Sequence, residues 1–151
     1  MNQNCDICAF LEKPKHQIFL TDRWSVGLGN KQAYLGRAYV TLRAHKGSLG
    51  KLDGDDWREF EGLVRKLESA YSKAFSAVPL NWGCFMNNAF QEDPAHPHVH
   101  WHIFPRYKQP PTLAGITFDD PFYGHHYNPK AERNVSDEVV EQIAEKLRPY
   151  L

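Results

Sequence analysis

The stretch His98–Arg106, with the sequence HVHWHIFPR, alternates imidazole and apolar side chains over its first six residues. Successive side chains of a β-strand point to opposite faces of the sheet, so every second residue shares a face. The histidine face would carry His98, His100, His102 and Phe104, and the apolar face Val99, Trp101 and Ile103. The pattern therefore predicts a strand that is anchored in a core and presents a row of imidazoles to a cleft.

Two other interpretations of this histidine row are a metal cluster and an exposed polar face. Clustered imidazoles repel one another when they are protonated, so a row without a use would be costly to keep. We therefore favour a functional site. His96 continues the spacing of two residues, although Pro97 indicates that the strand begins after it.

Outside this stretch, hydrophobic patterning predicts four more strands and two helices. Runs rich in β-branched and aromatic residues place the strands at residues 17–21, 24–28, 37–42 and 80–86, with the histidine strand at 98–104. Apolar residues at steps of three and four predict a long helix over residues 55–75, and Ser136 is the expected N-cap of a C-terminal helix. Strands grouped around one long helix favour an α+β fold with a five-stranded antiparallel sheet.

The segment of about residues 105–135 shows little periodicity and is rich in proline and aromatic residues. A connection of this length without secondary structure is unusual in a compact domain, which favours a functional flap or a partner-contacting arm. A loop that only packs on the surface is the open alternative. Because we find no repeat and no low-complexity linker, we expect a single domain over residues 1–151.

Composition limits the partners and the compartment. The chain has 18 lysines and arginines and 18 aspartates and glutamates, so no basic face is indicated and duplex nucleic acid is an unexpected partner. A small phosphorylated ligand stays compatible. The N-terminus does not resemble a signal peptide, and no apolar run reaches the ~20 residues of a membrane span. Three cysteines do not suggest a disulfide framework, which favours a reducing, cytoplasmic setting.

The motif His-x-His-x-His followed by two apolar residues resembles the signature of the histidine triad family of nucleotide hydrolases and transferases. Pro105-Arg106 resembles the dinucleoside polyphosphate hydrolases and related bacterial members of that family. Asn30 stands where family members place an Asp or Asn that holds the ribose, and Asn87 where they place an Asn or Gln near the phosphates. The likeness extends from Cys5 to about Arg106.

The resemblance implies a catalytic mechanism as well as a fold. His100 would be the nucleophile that attacks an α-phosphorus to give a nucleotidyl-histidine, with a backbone carbonyl holding its other ring nitrogen. His102 would hydrogen-bond a phosphate oxygen as charge develops. His98 would also face the substrate. Arg106 is a candidate extra cation, with a solvated charge or a dimer contact as alternatives.

Two residues depart from the pattern of the family. Ala95 stands three residues before His98, where a small hydroxyl donor is usual, and Arg37 stands where a histidine commonly follows the glycine of the third strand. Both positions bear on the leaving-group contacts, and so on the substrate.

A zinc site is the second feature that the resemblance implies. Many bacterial relatives carry zinc on two cysteines spaced like Cys5 and Cys8, a histidine at the position of His45, and the first triad histidine, here His98. Two thiolates and two imidazoles suit tetrahedral Zn²⁺. His96 is the rival fourth ligand. A redox pair, or two ordinary cysteines, are the alternatives for the Cys-x-x-Cys pair.

The sequence thus predicts a hydrolase or transferase that cleaves an adenine nucleotide, such as a dinucleoside polyphosphate, at the α-phosphate. A nucleotide-binding regulatory protein with little turnover is the alternative, and a zinc-stabilised interaction module without catalysis is a third hypothesis. Because members of the family are mostly homodimers whose sheets continue into one another, the resemblance also implies a homodimer.

Overall fold

The computed structural model describes residues 4–151. Its main sheet comprises β1 (Gln17–Leu20), β2 (Trp24–Leu28), β3 (Ala38–Leu42), β4 (Leu80–Gly83) and β5 (His100–Pro105). The strands are antiparallel and lie in the order β1-β2-β3-β5-β4, so β5 is inserted between β3 and β4. This arrangement confirms the predicted five-stranded antiparallel sheet.

Within residues 4–151, three α-helices accompany the sheet: α1 (Asp6–Glu12), α2 (Gly54–Phe75) and α3 (Asp137–Leu147). The predicted long helix and C-terminal helix correspond to α2 and α3, whereas α1 was not predicted. Helix α2 begins with a capping box, in which Asp53 accepts from the Asp56 backbone N–H and Asp56 accepts from that of Asp53. Ser136 occupies the N-cap position of α3, but its side chain makes no capping hydrogen bond. None of the helices in residues 4–151 has the length and apolar character needed to cross a membrane.

The core lies between the sheet and helix α2. The face of α2 that meets the sheet carries the buried residues Phe60, Leu63, Leu67, Ala70 and Tyr71. From β5, Trp101 stacks on Phe60 with ring centroids 5.0 Å apart, and Ile103 is fully buried. The apolar residues of β5 thus face α2. The alternate residues His100 and His102 face the opposite side of the sheet, as the sequence pattern predicts.

The segment of residues 105–135 is more ordered than its sequence suggests. It contains a small hairpin of β6 (Thr112–Leu113) and β7 (Ile116–Thr117). Phe118 after the hairpin is buried in the main core. Further along, the backbone N–H of Asn128 donates to the hydroxyl of Tyr34. The segment therefore contains ordered structure and contacts, while its role as a functional flap, a partner-contacting arm or a packing loop stays a prediction.

Candidate functional site

A cleft of about 520 Å³ lies over the face of the sheet that carries His100 and His102. In the register between β3 and β5, Thr41 lies opposite His100 and Tyr39 opposite His102. The cleft is lined by residues from four parts of the chain, which fall within residues 4–7, 31–39, 85–92 and 96–102. The sheet therefore supplies a rigid floor on which the two histidines stand side by side.

A hydrogen-bonded chain runs through the three triad histidines. The Nδ1 of His100 lies 2.8 Å from the backbone oxygen of His98, and its Nε2 lies 3.2 Å from the Nε2 of His102. A carbonyl oxygen can only accept, so Nδ1 of His100 carries the proton and Nε2 holds the lone pair. His102 then donates through its own Nε2–H. The expected backbone carbonyl partner of His100 is the His98 carbonyl.

The protonation of His102 is set by its surroundings. Burial, followed by the nearby charges of His100 and Arg37, lowers its pKa from 6.5 to about 4. His102 is therefore neutral at pH 7 and able to donate one hydrogen bond while accepting another. The ring of Tyr39 packs edge-on against it, with centroids 5.0 Å apart. A neutral His102 can therefore donate a hydrogen bond to a phosphate oxygen.

Next to this pair, four side chains form a candidate metal centre: Cys5, Cys8, His45 and His98. Their ligand atoms all lie within 4.8 Å of one another. Nδ1 of His98 is 3.5 Å from the sulfur of each cysteine, and Nδ1 of His45 is 3.4 Å from Sγ of Cys8. With Zn–S of about 2.3 Å and Zn–N of about 2.0 Å, a tetrahedral site has S···N edges of about 3.5 Å. The donor set and its spacing therefore fit zinc.

Each of these four ligands is positioned by the local fold. Cys5 is the N-cap residue of α1 and Cys8 lies in its first turn, so one short helix supplies both thiols. The other ring nitrogen of His98, Nε2, lies 2.6 Å from the backbone oxygen of Leu42 at the end of β3. This bond fixes the ring so that Nδ1 points at the thiols, which is the usual support of a metal-binding histidine. Both cysteines are buried, with exposures of 3% and 1%.

The loop that carries His45 is fixed through its neighbour Lys46. The backbone oxygen of Lys46 accepts from the N–H of Val99, which joins the loop to the histidine segment. The ammonium group of Lys46 pairs with the buried carboxylate of Asp56 at the start of α2. Arg23 binds the same carboxylate at 2.8 Å, so the charge of Asp56 is compensated twice. Lys46 thus connects the candidate metal centre to the start of α2.

The structure brings some of the predicted site residues together and leaves others outside. His98, His100, His102 and Asn87 all line the cleft, as does His96. The four-residue group that can hold a metal contains His98 rather than His96. Asn30 is not among the residues that line the cleft. Its side-chain nitrogen donates to the backbone oxygen of Val135 at 3.0 Å and to Asp137 at 2.8 Å.

Arg106 lies away from the cleft, and its side chain makes buried contacts within the fold. It is only 2% exposed and forms an ion pair with buried Asp120, through Nε at 2.7 Å and Nη2 at 2.9 Å. Its remaining donors bind the side chain of Asn81 and the backbone oxygens of Phe122 and His125. With its donors used in this way, the guanidinium holds the segment of residues 105–135 against the sheet and has no position from which to bind a nucleotide in the cleft.

The cleft side chains that sequence reasoning did not assign as site residues include Lys31, Arg37, Tyr39 and Phe85. Arg37 was noted only as a departure from the family pattern. The signal that could have found it is the alternation in β3, which places Arg37, Tyr39 and Thr41 on one face. The strand register puts that face beside the histidines.

Known structures share this fold over most of the chain. A Hit-like protein involved in cell-cycle regulation from Bartonella henselae superposes with a TM-score of 0.72 and 21% identity, covering 100% of this chain and 98% of that one. A Zn-bound histidine triad family protein from Mycobacterium smegmatis superposes with a TM-score of 0.64 and 15% identity, covering 97% of this chain and 94% of that one. The diadenosine triphosphate hydrolase of Plasmodium falciparum superposes with a TM-score of 0.61 and 17% identity, covering 91% of this chain and 77% of that one.

At these identities the likeness establishes the fold, which is that of the histidine triad proteins. No protein-family model matches the chain, and no curated protein sequence matches it either.

Proposed function

We propose that this chain belongs to the histidine triad family and is a nucleotide hydrolase or nucleotidyl transferase. Its substrate would be an adenine nucleotide, such as a dinucleoside polyphosphate, cleaved at the α-phosphate. The observation that carries the proposal is the hydrogen bond from Nδ1 of His100 to the His98 carbonyl, which leaves the Nε2 lone pair beside His102 in the cleft. A diadenosine triphosphate hydrolase among the proteins of the same fold supports this substrate class.

The first step is attack on phosphorus. The Nε2 lone pair of His100 forms a bond to the α-phosphorus as the bond from phosphorus to the leaving-group oxygen breaks, and that oxygen keeps the electron pair. His102 turns its Nε2–H from His100 to a non-bridging oxygen, where negative charge increases in the transition state. Because His102 is neutral at pH 7, it stabilises this charge by a hydrogen bond without transferring its proton.

The second step releases the nucleotide. A water oxygen attacks the phosphorus, the N–P bond breaks, and its electron pair returns to Nε2 of His100, while the water loses a proton to solvent. An acceptor hydroxyl in place of water would make the enzyme a transferase. Asn87, which is exposed at the cleft, is suited to bind phosphate oxygens. Asn30 enters the proposal only through its side-chain oxygen, which can accept from a ribose hydroxyl.

A zinc ion on Cys5, Cys8, His45 and His98 is the structural part of the proposal. When bound, zinc would supply a rigid tether and no reacting group, because all four tetrahedral positions are taken by protein ligands. The chain itself transmits this rigidity. His98 contributes its ring to the metal centre and its backbone oxygen to Nδ1 of His100. Fixing His98 therefore also fixes the tautomer and direction of the nucleophile.

Turnover of a nucleotide panel tests the proposal. Dinucleoside polyphosphates, aminoacyl adenylates, phosphoramidates and nucleotide sugars are assayed with wild type and His100→Ala, and substrate labelled at the α-phosphate is used to trap the intermediate. We expect His100→Ala to lose at least about 10³-fold in kcat, since removing a nucleophile removes the covalent route. His126→Ala, an exposed histidine outside the cleft, serves as the control.

The outcomes separate the two leading functions. Equal turnover by wild type and His100→Ala contradicts the proposal. Tight mononucleotide binding with negligible turnover of every substrate favours a nucleotide-binding regulatory protein instead. A cytoplasmic location and a homodimer remain predictions from the sequence.

A further inference from the structure

Arg37 lies in the candidate active-site cleft, on the same side of the sheet as His100 and His102. It precedes β3, and because Ala38 pairs with Ile103, Arg37 stands across from Phe104, the next residue of β5. Its guanidinium carbon lies 4.9 Å from the ring centroid of Phe104 and 5.8 Å from that of Tyr39. Two aromatic rings thus hold the side chain at the end of the histidine row that is distant from the metal centre.

The charge of Arg37 lacks a compensating partner within residues 4–151. Its Nε is buried without a hydrogen-bond partner there, and it forms no ion pair in this part of the chain. The pKa of Glu132 is lowered mainly by Lys31 and only to a lesser extent by the charge of Arg37. The Glu132 carboxylate is already paired with Lys31 at 2.9 Å. Arg106 provides the contrast, because its buried side chain is satisfied by Asp120. A half-buried, unpaired guanidinium that faces a cleft is a site for an anion.

We propose that Arg37 binds the phosphate next to the attacked phosphorus and thereby selects nucleotides whose leaving group is itself a phosphate. This inference rests on the proposed function and narrows its substrate class. Along the floor of the cleft, Arg37 lies beyond His102 as seen from His100.

The chemistry of the guanidinium determines which leaving group it favours. When the bond between the α-phosphorus and a bridging oxygen breaks, a phosphate leaving group departs with the electron pair as an oxyanion and requires no proton. Arg37 stabilises such an anion through charge-assisted hydrogen bonds. An amine leaving group needs a proton as the P–N bond breaks, and arginine does not release one at neutral pH. Arg37 therefore assists phosphate departure and gives no comparable help to an amine.

The test compares two substrates that differ in the leaving group. Wild type, Arg37→Met and Arg37→Lys are assayed with a dinucleoside triphosphate and with a nucleoside 5′-phosphoramidate. Methionine keeps an apolar stem over Phe104 and removes the charge. Lysine keeps the charge and loses the planar guanidinium with its paired N–H donors. We expect Arg37→Met to lose about 10- to 100-fold in kcat/KM on the triphosphate and less than about 3-fold on the phosphoramidate, with partial recovery in Arg37→Lys.

Arg65→Met is the matched control, because Arg65 is an exposed arginine on α2, on the other side of the sheet. It removes the same charge and should leave kcat/KM for both substrates unchanged. An equal loss on the two substrates in Arg37→Met, or no loss on either, would overturn the inference. Equal melting temperatures of Arg37→Met and Arg65→Met would show that a loss of kcat/KM in Arg37→Met arises in the cleft and not from lower stability.

Calorimetric binding separates this inference from the proposed function. In the absence of turnover, the inference still requires a nucleoside diphosphate to bind wild type at least about 10-fold more tightly than Arg37→Met, with little change for the monophosphate. That result without turnover refutes only the proposed function. Turnover on the panel combined with unchanged diphosphate affinity and unchanged substrate preference refutes only the role of Arg37. A protein that neither binds nor cleaves these nucleotides refutes both.

Discussion

At the level of single residues, the protonation of His102 depends on where it stands, half-buried between Arg37 and His100. These surroundings lower its pKa from 6.5 to about 4. Between these two pH values the unfolded chain binds a proton at this position and the folded chain does not. We therefore expect the free energy of unfolding to fall as the pH decreases from about 6.5 to about 4 through this group, with no further loss from it below that range.

An NMR titration of the His102 ring checks this prediction, with the resonance assigned by its absence in His102→Asn. The expected midpoint is about 4. Arg37→Met should raise the midpoint, because the charge of Arg37 contributes to the low pKa. A midpoint near the ordinary histidine value in wild type would show that burial, His100 and Arg37 do not lower the pKa of His102.

How much of the site could be predicted from the sequence differs from residue to residue. His100 and His102 share a face because a strand alternates with period two, and this property is local. Arg106 looks like an exposed cation because its partner Asp120 lies 14 residues away, and only the packing of the long segment brings them together. Arg37 was identified only as an unusual residue, since its unpaired state is a property of its tertiary surroundings.

At the level of elements, we predict that zinc keeps α1 in place. This helix has seven residues, too few to be stable alone. Its two cysteines join it to His45 and His98. Zinc present at about 1,000 times its Kd adds about 4 kcal/mol to the folded state, so chelation should lower the Tm by about 8 to 16 °C for a chain of this size.

The matched variants for this prediction are Cys8→Ser and Cys84→Ser. Both make the same chemical change, but Cys84 lies outside the four-residue group. We expect wild type and Cys84→Ser to contain about one zinc per chain by elemental analysis, and Cys8→Ser to lose most of it and to melt at a lower temperature. Metal-free wild type with an unchanged Tm after chelation would show that the thiols pack without an ion.

The same scale explains why α1 and the hairpin of β6 and β7 were not predicted. Hydrophobic periodicity needs windows of about 11 to 18 residues, and α1 and the hairpin strands are shorter than this. The long helix α2 offers 22 residues and acidic residues in its first turn, so its position was predicted within a residue at its start. Segments whose structure depends on tertiary contacts, such as the one after Arg106, show little hydrophobic periodicity from which their structure could be predicted.

For the whole molecule, the fold class followed from the number and grouping of elements, whereas the strand order did not. Strand β5 inserts between β3 and β4, and the pairing of Tyr39 with His102 across that boundary builds the cleft floor. Sequence separation gives no indication of this insertion, because β3 and β5 are joined through a long helix and a further strand. The resemblance to the histidine triad family implied the fold without giving the order of its strands, and the fold comparison supports that fold.

The same topology leaves β4 at one edge of the sheet and β1 at the other. Unpaired strand edges are sites for association with another chain. Beside β4, Phe122 is 45% exposed and shares a groove with Leu80 and Trp82. An apolar groove along an unpaired edge suits an interface between two copies of the chain. We therefore predict a homodimer in which the β4 edges meet, with a sedimentation mass of about twice the chain mass of 17.5 kDa.

Two charged substitutions decide which edge forms the interface. Phe122→Lys places a cation in the groove beside β4, and Leu20→Lys does the same at the β1 edge, where Leu20 is 50% exposed. Burying an unpaired charge at an interface weakens association, so Phe122→Lys should sediment as a monomer and Leu20→Lys as a dimer. The reverse result would assign the interface to β1. A wild-type monomer at all concentrations would contradict the dimer, and the β4 edge would then be covered only by its own segment of residues 105–135.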